Sequence, residues 1–110
     1  MSDELIAMSA REAVRRLCDG DVTPLELIEA AAARIEAVDG AVNALPTLCL
    51  ERARAQAENL VAPADAGPGW LAGLPIAVKD LNEVAGVRTT FGSPIFADYV
   101  PDQNDLSVDT

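Results

Sequence analysis

Lys79, the single lysine of the chain, is the residue whose type and position best suit acid–base chemistry. It follows the apolar run of residues 74–78 and precedes Asp80, whereas every other basic residue is an arginine. A short apolar run bounded by a glycine and a charge predicts a buried strand. Burial disfavours the charged form of an ammonium group, so a lysine in this position is a candidate general base.

A lysine base would have a serine hydroxyl as its natural partner, because that hydroxyl is a poor nucleophile until a neighbouring group accepts its proton. Free lysine has a pKa near 10.4, so a lysine that acts as a base near pH 7 must have its pKa lowered by roughly three pH units, which corresponds to a free energy on the order of 4 kcal/mol. Burial in a protein core can supply a change of that size. Spacing alone leaves an alternative open, in which Lys79 caps the strand and pairs with a carboxylate.

Other polar residues near Lys79 invite a catalytic interpretation. Asp80 is adjacent, but neighbouring side chains of a strand point to opposite faces, which favours a structural hydrogen-bonding role. Ser93 lacks the G-x-S-x-G elbow and precedes a proline, which favours a turn. Thr89 and Thr90 either shape a pocket wall or satisfy loop backbone groups, and the sequence does not separate the two.

Composition excludes several classes of function. The chain has 110 residues, half of them hydrophobic, which is enough for the core of one small domain. Its net charge of −10 argues against nucleic acid or anionic membrane as a partner, since both require clustered lysine and arginine. The absence of histidine leaves lysine and the carboxylates for proton transfer.

The remaining compositional signals fit an ordinary soluble, cytoplasmic protein. Residues 1–4 lack the basic and apolar regions of a signal peptide, and no apolar run approaches the roughly 20 residues that span a bilayer. Cys18 and Cys49 lie far apart without C-x-x-C spacing. They are expected to be small apolar residues on helices rather than a disulfide or a metal site.

Three helices are expected before the lysine segment. Ser9 and Glu12 have the spacing of a capping box, and Gly20 is a C-terminal stop, which predicts a helix over residues 10–19. The segment Thr23-Pro24-Leu25-Glu26 is a stronger start signal, followed by apolar residues at helical spacing up to Gly40. A third helix is predicted over about residues 50–60.

The rest of the chain is predicted as strand and loop. Residues 42–48 contain a proline and are interpreted as an extended segment or edge strand. We therefore divide the chain into a mainly helical part (1–61), a loop (62–70), and a lysine-bearing strand with the loops after it (71–110). A lone strand after helices has no pairing partner, so the chain is expected to be the truncated beginning of a larger α/β fold.

Two segments resemble the amidase signature family. Residues 71–80, Leu-Ala-Gly-Leu-Pro-Ile-Ala-Val-Lys-Asp, closely resemble its lysine motif, and residues 86–94, Gly-Val-Arg-Thr-Thr-Phe-Gly-Ser-Pro, are similar to its G-x-x-T-T-x-G-S stretch. Residues 97–101 continue the match. The helical region is similar too, at residues 23–27, 34–35 and 42–44. The resemblance covers nearly the whole chain.

This resemblance implies a C–N hydrolase of α/β/α architecture with a Ser–cis-Ser–Lys triad. Lys79 matches the catalytic lysine of the family. The two serines and the oxyanion hole belong to a later glycine- and serine-rich stretch that these 110 residues do not contain. No metal or organic cofactor is implied, and the substrate would be a small-molecule amide. The 110 residues alone are therefore expected to be inactive.

Three functions stay open at this point. The first is an amidase that hydrolyses a carboxamide to a carboxylate and ammonia or an amine. The second is the amidase subunit of a glutamine-dependent amidotransferase complex, and the third is a non-catalytic truncated remnant. Residues 91–95 are closer to stand-alone amidases. The sequence predicts no substrate-binding residues and does not separate a homodimer from a larger complex.

Overall fold

The structure is a computed structural model that describes residues 2–109. Five α-helices and one 3-10 helix form in this range: α1 (Ser2–Ala7), α2 (Ala10–Asp19), α3 (Pro24–Val42), α4 (Leu50–Glu58), the 3-10 helix Pro94–Phe96 and α5 (Leu106–Asp109). None of these helices is both long enough and apolar enough to cross a membrane. The chain divides into two compact units. The helical unit comprises the residues up to Leu45 with Leu50–Pro75, and the lysine unit comprises Pro46–Cys49 with the residues from Ile76 onward.

Helix α2 confirms the prediction made from its caps. The Ser9 hydroxyl accepts the backbone N–H of Glu12 at 3.2 Å. Gly20 adopts a left-handed φ of 77°, and its N–H bonds back to the carbonyls of Arg16 and Leu17. Both ends of the helix thus satisfy backbone groups that would otherwise lack partners.

Helix α3 starts as predicted but ends later. Its capping box is complete, because the Thr23 hydroxyl accepts the Glu26 N–H at 3.2 Å while the Glu26 carboxylate accepts the Thr23 N–H at 2.7 Å. The predicted stop at Gly40 is wrong, since the helix runs through Gly40 to Val42. Asn43 provides the left-handed cap instead, with φ 54° and its N–H on the carbonyl of Asp39.

Two further boundaries differ from the prediction. Residues 42–48 were predicted as an extended segment or an edge strand, and they form no strand: α3 includes Val42, and residues 43–49 have no regular secondary structure. Helix α4 ends at Glu58, two residues early, and the Asn59 side chain bonds to the carbonyl of Ala55 at 2.8 Å. Helix α1 was not predicted; its only local signal is an acidic first turn, Asp3 and Glu4.

The helical unit is organised around α3, which packs against both α1 and α4. Its core consists of buried Ala13, Val22 and Leu27, with Leu5, Met8, Leu17 and Leu74 packed against them. Gly73 has φ +90°, and a Cβ there would lie 2.5 Å from Pro24 Cγ and 2.8 Å from Leu60 Cδ2. The chain can therefore pass this close to the start of α3 only because residue 73 lacks a side chain.

Ion pairs tie the helices together at the surface. Arg16 bonds Glu12 at 3.0 Å within α2 and Glu4 of α1 at 3.2 Å. Arg15 bonds Glu12 at 2.8 Å and Asp19 at 2.7 Å. Hydrogen bonds from Arg15 and then Arg16 lower the pKa of the Glu12 carboxyl from 4.5 to about 2.

The lysine unit is a closed loop held by bonds between its two sides. Backbone N–H groups donate from Gly86 to Pro101 at 2.9 Å, from Thr89 to Tyr99 at 3.0 Å and from Asp105 to Glu83 at 2.8 Å. At the base of the loop, the Asn82 amide donates to the Ser107 hydroxyl at 3.0 Å. The rings of Phe91, Phe96 and Tyr99 cluster near its apex, with centroids 5.1 to 6.1 Å apart.

The strand predicted over residues 74–78 does not form, and residues 2–109 contain no β-strand at all. The nearest feature is an isolated antiparallel bridge between Val84 and Val87. A strand requires a neighbour to accept and donate its backbone hydrogen bonds, and no other described segment offers one. Residues 74–79 accordingly have no regular secondary structure.

Candidate catalytic lysine

Lys79 lies at the start of a turn and is exposed. The Asn82 N–H donates to the Lys79 carbonyl at 2.9 Å, which closes a four-residue turn. The apolar residues beside it are exposed as well: Ile76 is 70% exposed and Val78 43%. Within residues 2–109, the prediction that Lys79 is buried is therefore wrong, because no paired strand or packed element in this range covers the apolar run of residues 74–78.

Asp80 has the structural hydrogen-bonding role that was predicted for it. One carboxylate oxygen accepts the backbone N–H of Thr90 at 2.8 Å, and the other accepts the Thr90 hydroxyl. The same threonine oxygen accepts the Gly92 N–H at 3.2 Å. These bonds join the turn after Lys79 to a segment ten residues further along the chain.

The electrostatics of this contact favour the ionised carboxylate. The Thr90 hydroxyl is the largest cause of a lowered Asp80 pKa, followed by the Thr90 backbone N–H. The positive charge of Arg88 contributes in the same direction. Asp80 therefore stays ionised at neutral pH and keeps both oxygens as acceptors.

The two threonines satisfy loop backbone groups, which was one of the two roles predicted for them. Thr89 is 2% exposed, and its hydroxyl donates to the carbonyl of Val87 at 3.2 Å. Thr90 is 8% exposed, and its hydroxyl accepts the backbone N–H of Gly92 at 3.2 Å. Ser93 has the predicted turn role, because its hydroxyl accepts the Ile95 N–H at 3.3 Å and caps the 3-10 helix.

Several polar contacts of this unit were not predicted from the sequence. The Tyr99 hydroxyl donates to the Glu83 carboxylate at 2.8 Å, and this bond is the main cause of a raised Tyr99 pKa. The Arg88 guanidinium donates to the Ala97 carbonyl and to the Thr47 hydroxyl. Such contacts link residues that are distant in sequence, so no local pattern signals them.

The cysteines contribute nothing to this arrangement. Cys18 lies on α2 as predicted, whereas Cys49 lies just before α4, and both thiols are free and exposed rather than packed as apolar side chains. Within residues 2–109, no group of three or more His, Cys, Asp or Glu side chains is placed to hold a metal ion.

Comparison with known proteins identifies the family to which this chain belongs. A family model described as Amidase matches residues 26–110, which include Lys79, Asp80 and Thr90. The chain belongs to the amidase (amidase signature) family. The family fold is α/β, of which residues 2–109 contain helices and loops.

Three similar proteins from different bacteria carry the same protein name. The A subunit of the glutamyl-tRNA(Gln) amidotransferase of Anaeromyxobacter dehalogenans is 42% identical over 89% of this chain and 20% of its own length. The proteins of the same name from Roseiflexus sp. and Streptomyces coelicolor are 42% and 39% identical, over 89% and 92% of this chain and 20% of their own lengths. The chain thus spans about a fifth of these relatives. No solved structure matches it significantly.

Proposed function

We propose that this chain is part of an amidase that hydrolyses the C–N bond of a carboxamide, with Lys79 as the terminal base. The observation that carries the proposal is the position of Lys79. It lies inside the family-matched range and starts a turn whose next residue is bonded to buried Thr90. The tethered turn fixes the backbone that carries the lysine, and a fixed backbone favours proton transfer to a defined partner.

The proposed chemistry follows the triad that the family resemblance implies. A serine oxygen attacks the amide carbonyl, and its proton passes through a second serine to the neutral amine of Lys79. The proton then returns along the same route to the departing nitrogen as the C–N bond breaks. Water hydrolyses the acyl-serine to a carboxylate and restores the serine. Both serines lie outside these 110 residues.

The exposure of Lys79 adds a requirement to the proposal. A neutral amine near pH 7 needs desolvation or a neighbouring positive charge. Residues 2–109 leave Lys79 and the adjoining Ile76 and Val78 exposed. We therefore propose that the remainder of the amidase domain covers this run and completes the lysine environment.

The first test is substitution of Lys79 in the complete protein. Lys79→Ala and Lys79→Met should lower amidase kcat by about 10²–10⁴-fold, the range supplied by a positioned acid–base group. Lys79→Arg should be equally impaired, because a guanidinium does not release its proton. Ammonia release measures the rate, and circular dichroism checks the fold. Arg34→Ala, which removes one positive charge from α3, is the control. A folded Lys79→Ala variant with most of the wild-type kcat would sink the assignment.

A second candidate is the amidase subunit of an amidotransferase complex. The observation that favours it is the shared name of the relatives, each the A subunit of a glutamyl-tRNA(Gln) amidotransferase. This candidate predicts that the complete protein co-purifies with partner subunits and releases ammonia from glutamine only in their presence. A stand-alone amidase would hydrolyse amides at full rate without them. The remnant hypothesis predicts that no glycine- and serine-rich stretch is encoded with this segment.

A further inference from the structure

The Asp80 carboxylate connects the Lys79 turn to a buried anchor, and this contact has a consequence for catalysis. We propose that Asp80 is a positioning residue, which fixes the backbone that carries Lys79 through its two bonds to Thr90. The inference rests on the proposed role of Lys79 as the base. It adds a second residue to the reaction, one that acts on the lysine and not on the substrate.

Several hydrogen bonds restrain the backbone around Lys79. Its own carbonyl is held by the Asn82 N–H at 2.9 Å. The next residue, Asp80, binds Thr90 through both carboxylate oxygens. The turn ends at Asn82, whose side chain donates to Ser107 at 3.0 Å. The turn is thus tied at three points, and only the Asp80 contact acts on the residue adjacent to the lysine.

Thr90, the anchor of this contact, is itself held by several bonds. Thr90 is 8% exposed, and its carbonyl accepts the Ser93 N–H at 2.9 Å. Its hydroxyl accepts the Gly92 N–H at 3.2 Å while donating to Asp80. The preceding residue, Thr89, is bonded to the opposite side of the closed loop through Tyr99 at 3.0 Å. A buried residue with this many partners cannot shift without breaking several bonds.

The two Thr90 donors favour a carboxylate at position 80. Two donors of Thr90, one N–H and one O–H, point at the two oxygens of Asp80. Asparagine offers a single acceptor oxygen, so the Thr90 hydroxyl would have to accept from the amide nitrogen instead of donating, and a charge-assisted hydrogen bond would be replaced by a neutral one. The cationic groups beside this carboxylate are Arg88, which favours its ionised form, and the adjacent Lys79. Substitution of Asp80 therefore changes charge as well as geometry, and Thr90 variants are needed to separate the two.

The expected effect is on the chemical step. A displacement of about 1 Å in a catalytic group can cost on the order of 10²-fold in rate. Asp80→Asn and Thr90→Val in the complete protein should each lower kcat by about 10- to 100-fold, with KM changed less than about twofold. Thr90→Ser keeps both donors and should retain most of the activity. The double variant should lose little more than Asp80→Asn alone, because both changes break one contact.

A second readout follows Lys79 directly. Acylation of Lys79 by acetic anhydride in the complete protein is measured against pH, by mass spectrometry of the peptide that carries it. Asp80→Asn and Thr90→Val should both alter this pH profile, and Thr90→Ser should leave it at wild type. Thr90→Val keeps the Asp80 charge, so a changed profile in that variant reports displacement of the lysine. A purely structural role would lower thermal stability and leave the profile unchanged.

These outcomes separate the two proposals. If Lys79→Ala abolishes activity while folded Thr90→Val and Asp80→Asn keep wild-type kcat, the positioning role is overturned and the proposed function stands. If Lys79→Ala stays active, the proposed function fails, and the acylation profile still decides whether Asp80 holds the lysine. An identical profile in wild type, Asp80→Asn and Thr90→Val overturns the positioning role in either case.

Discussion

Glu12 shows how a single carboxylate on this surface responds to its neighbours. It accepts hydrogen bonds from both Arg15 and Arg16, and its pKa is lowered from 4.5 to about 2. A carboxyl whose pKa is lowered by folding stabilises the folded state at pH values above its pKa in the unfolded chain. That stabilisation is lost as the pH falls toward the pKa of the folded state. The contribution of Glu12 to the stability of the fold should therefore be complete above about pH 4.5 and should disappear as the pH falls from about 4.5 to about 2.

A carboxyl titration by NMR on the isotope-labelled chain tests this expectation. Glu12 should titrate at about 2, and Arg15→Ala or Arg16→Ala should raise its pKa toward 4.5. Arg34→Ala removes the same charge from α3 and should leave Glu12 unaffected. Added salt should weaken the effect, because exposed ion pairs are screened. A Glu12 pKa near 4.5 in the unaltered chain would mean that the two arginines do not hold this carboxylate.

At the scale of elements, two glycines with similar backbone conformations have different surroundings. Gly20 and Gly73 both adopt positive φ, of 77° and 90°. A Cβ at Gly20 would meet nothing within 4 Å, whereas one at Gly73 would lie 2.5 Å from Pro24 Cγ. A side chain at either position would therefore have to adopt an unfavourable positive φ, but only a side chain at residue 73 would also overlap with neighbouring atoms.

Alanine substitutions at these glycines form a matched pair. Gly20→Ala should destabilise the complete protein by about 1–2 kcal/mol, the cost of a left-handed conformation. Gly73→Ala should cost a further 1–3 kcal/mol or so, because the added methyl overpacks the contact with Pro24 and Leu60. Denaturant midpoints measured side by side give the difference. Equal losses would show that the chain shifts at residue 73 without strain.

The helices could be predicted from local sequence, whereas the strand could not. The ends of α2 and the start of α3 depend on caps within four residues, such as Ser9 with Glu12 and Thr23 with Glu26. A strand depends on a partner that a local pattern cannot supply, so an apolar run by itself does not ensure one. The predicted end of α3 at Gly40 was wrong because Asn, like Gly, can adopt the left-handed cap conformation, and Asn43 takes that role here.

The residues of the candidate site could be selected from the sequence, but their contacts could not. Lys79 was selected by its residue type and its position in the motif, and its role as a base stays a prediction, whereas the structural role of Asp80 is confirmed by its bonds to Thr90. That the Asp80 partner is Thr90 did not follow, because the two are ten residues apart and meet only when the loop closes. The exposure of Lys79 was also missed, since burial was inferred from neighbours that themselves lack cover.

For the molecule as a whole, we expect the 110 residues alone to lack amidase activity, to fold marginally, and to associate or remain partly disordered. Ile76 and Val78 of the apolar run are exposed, as is Leu81 three residues further along the chain. Ile76→Asp combined with Val78→Asp should reduce association, measured by sedimentation at rising concentration. Val61→Asp, at a loop residue that is 81% exposed, is the control. Amide hydrolysis by the purified segment that vanishes in Lys79→Ala would contradict the expected inactivity.

The closed loop of the lysine unit has an implication for protein engineering. Bonds at its base, such as Asn82 to Ser107 and Asp105 to Glu83, hold the two ends of the loop side by side. The entropy cost of a longer loop grows only slowly with its length. Extra residues beside Ile95, which is 87% exposed near the apex, would therefore extend outward without altering the spacing at the base. That position is suited to the insertion of a peptide or a reporter domain into this segment.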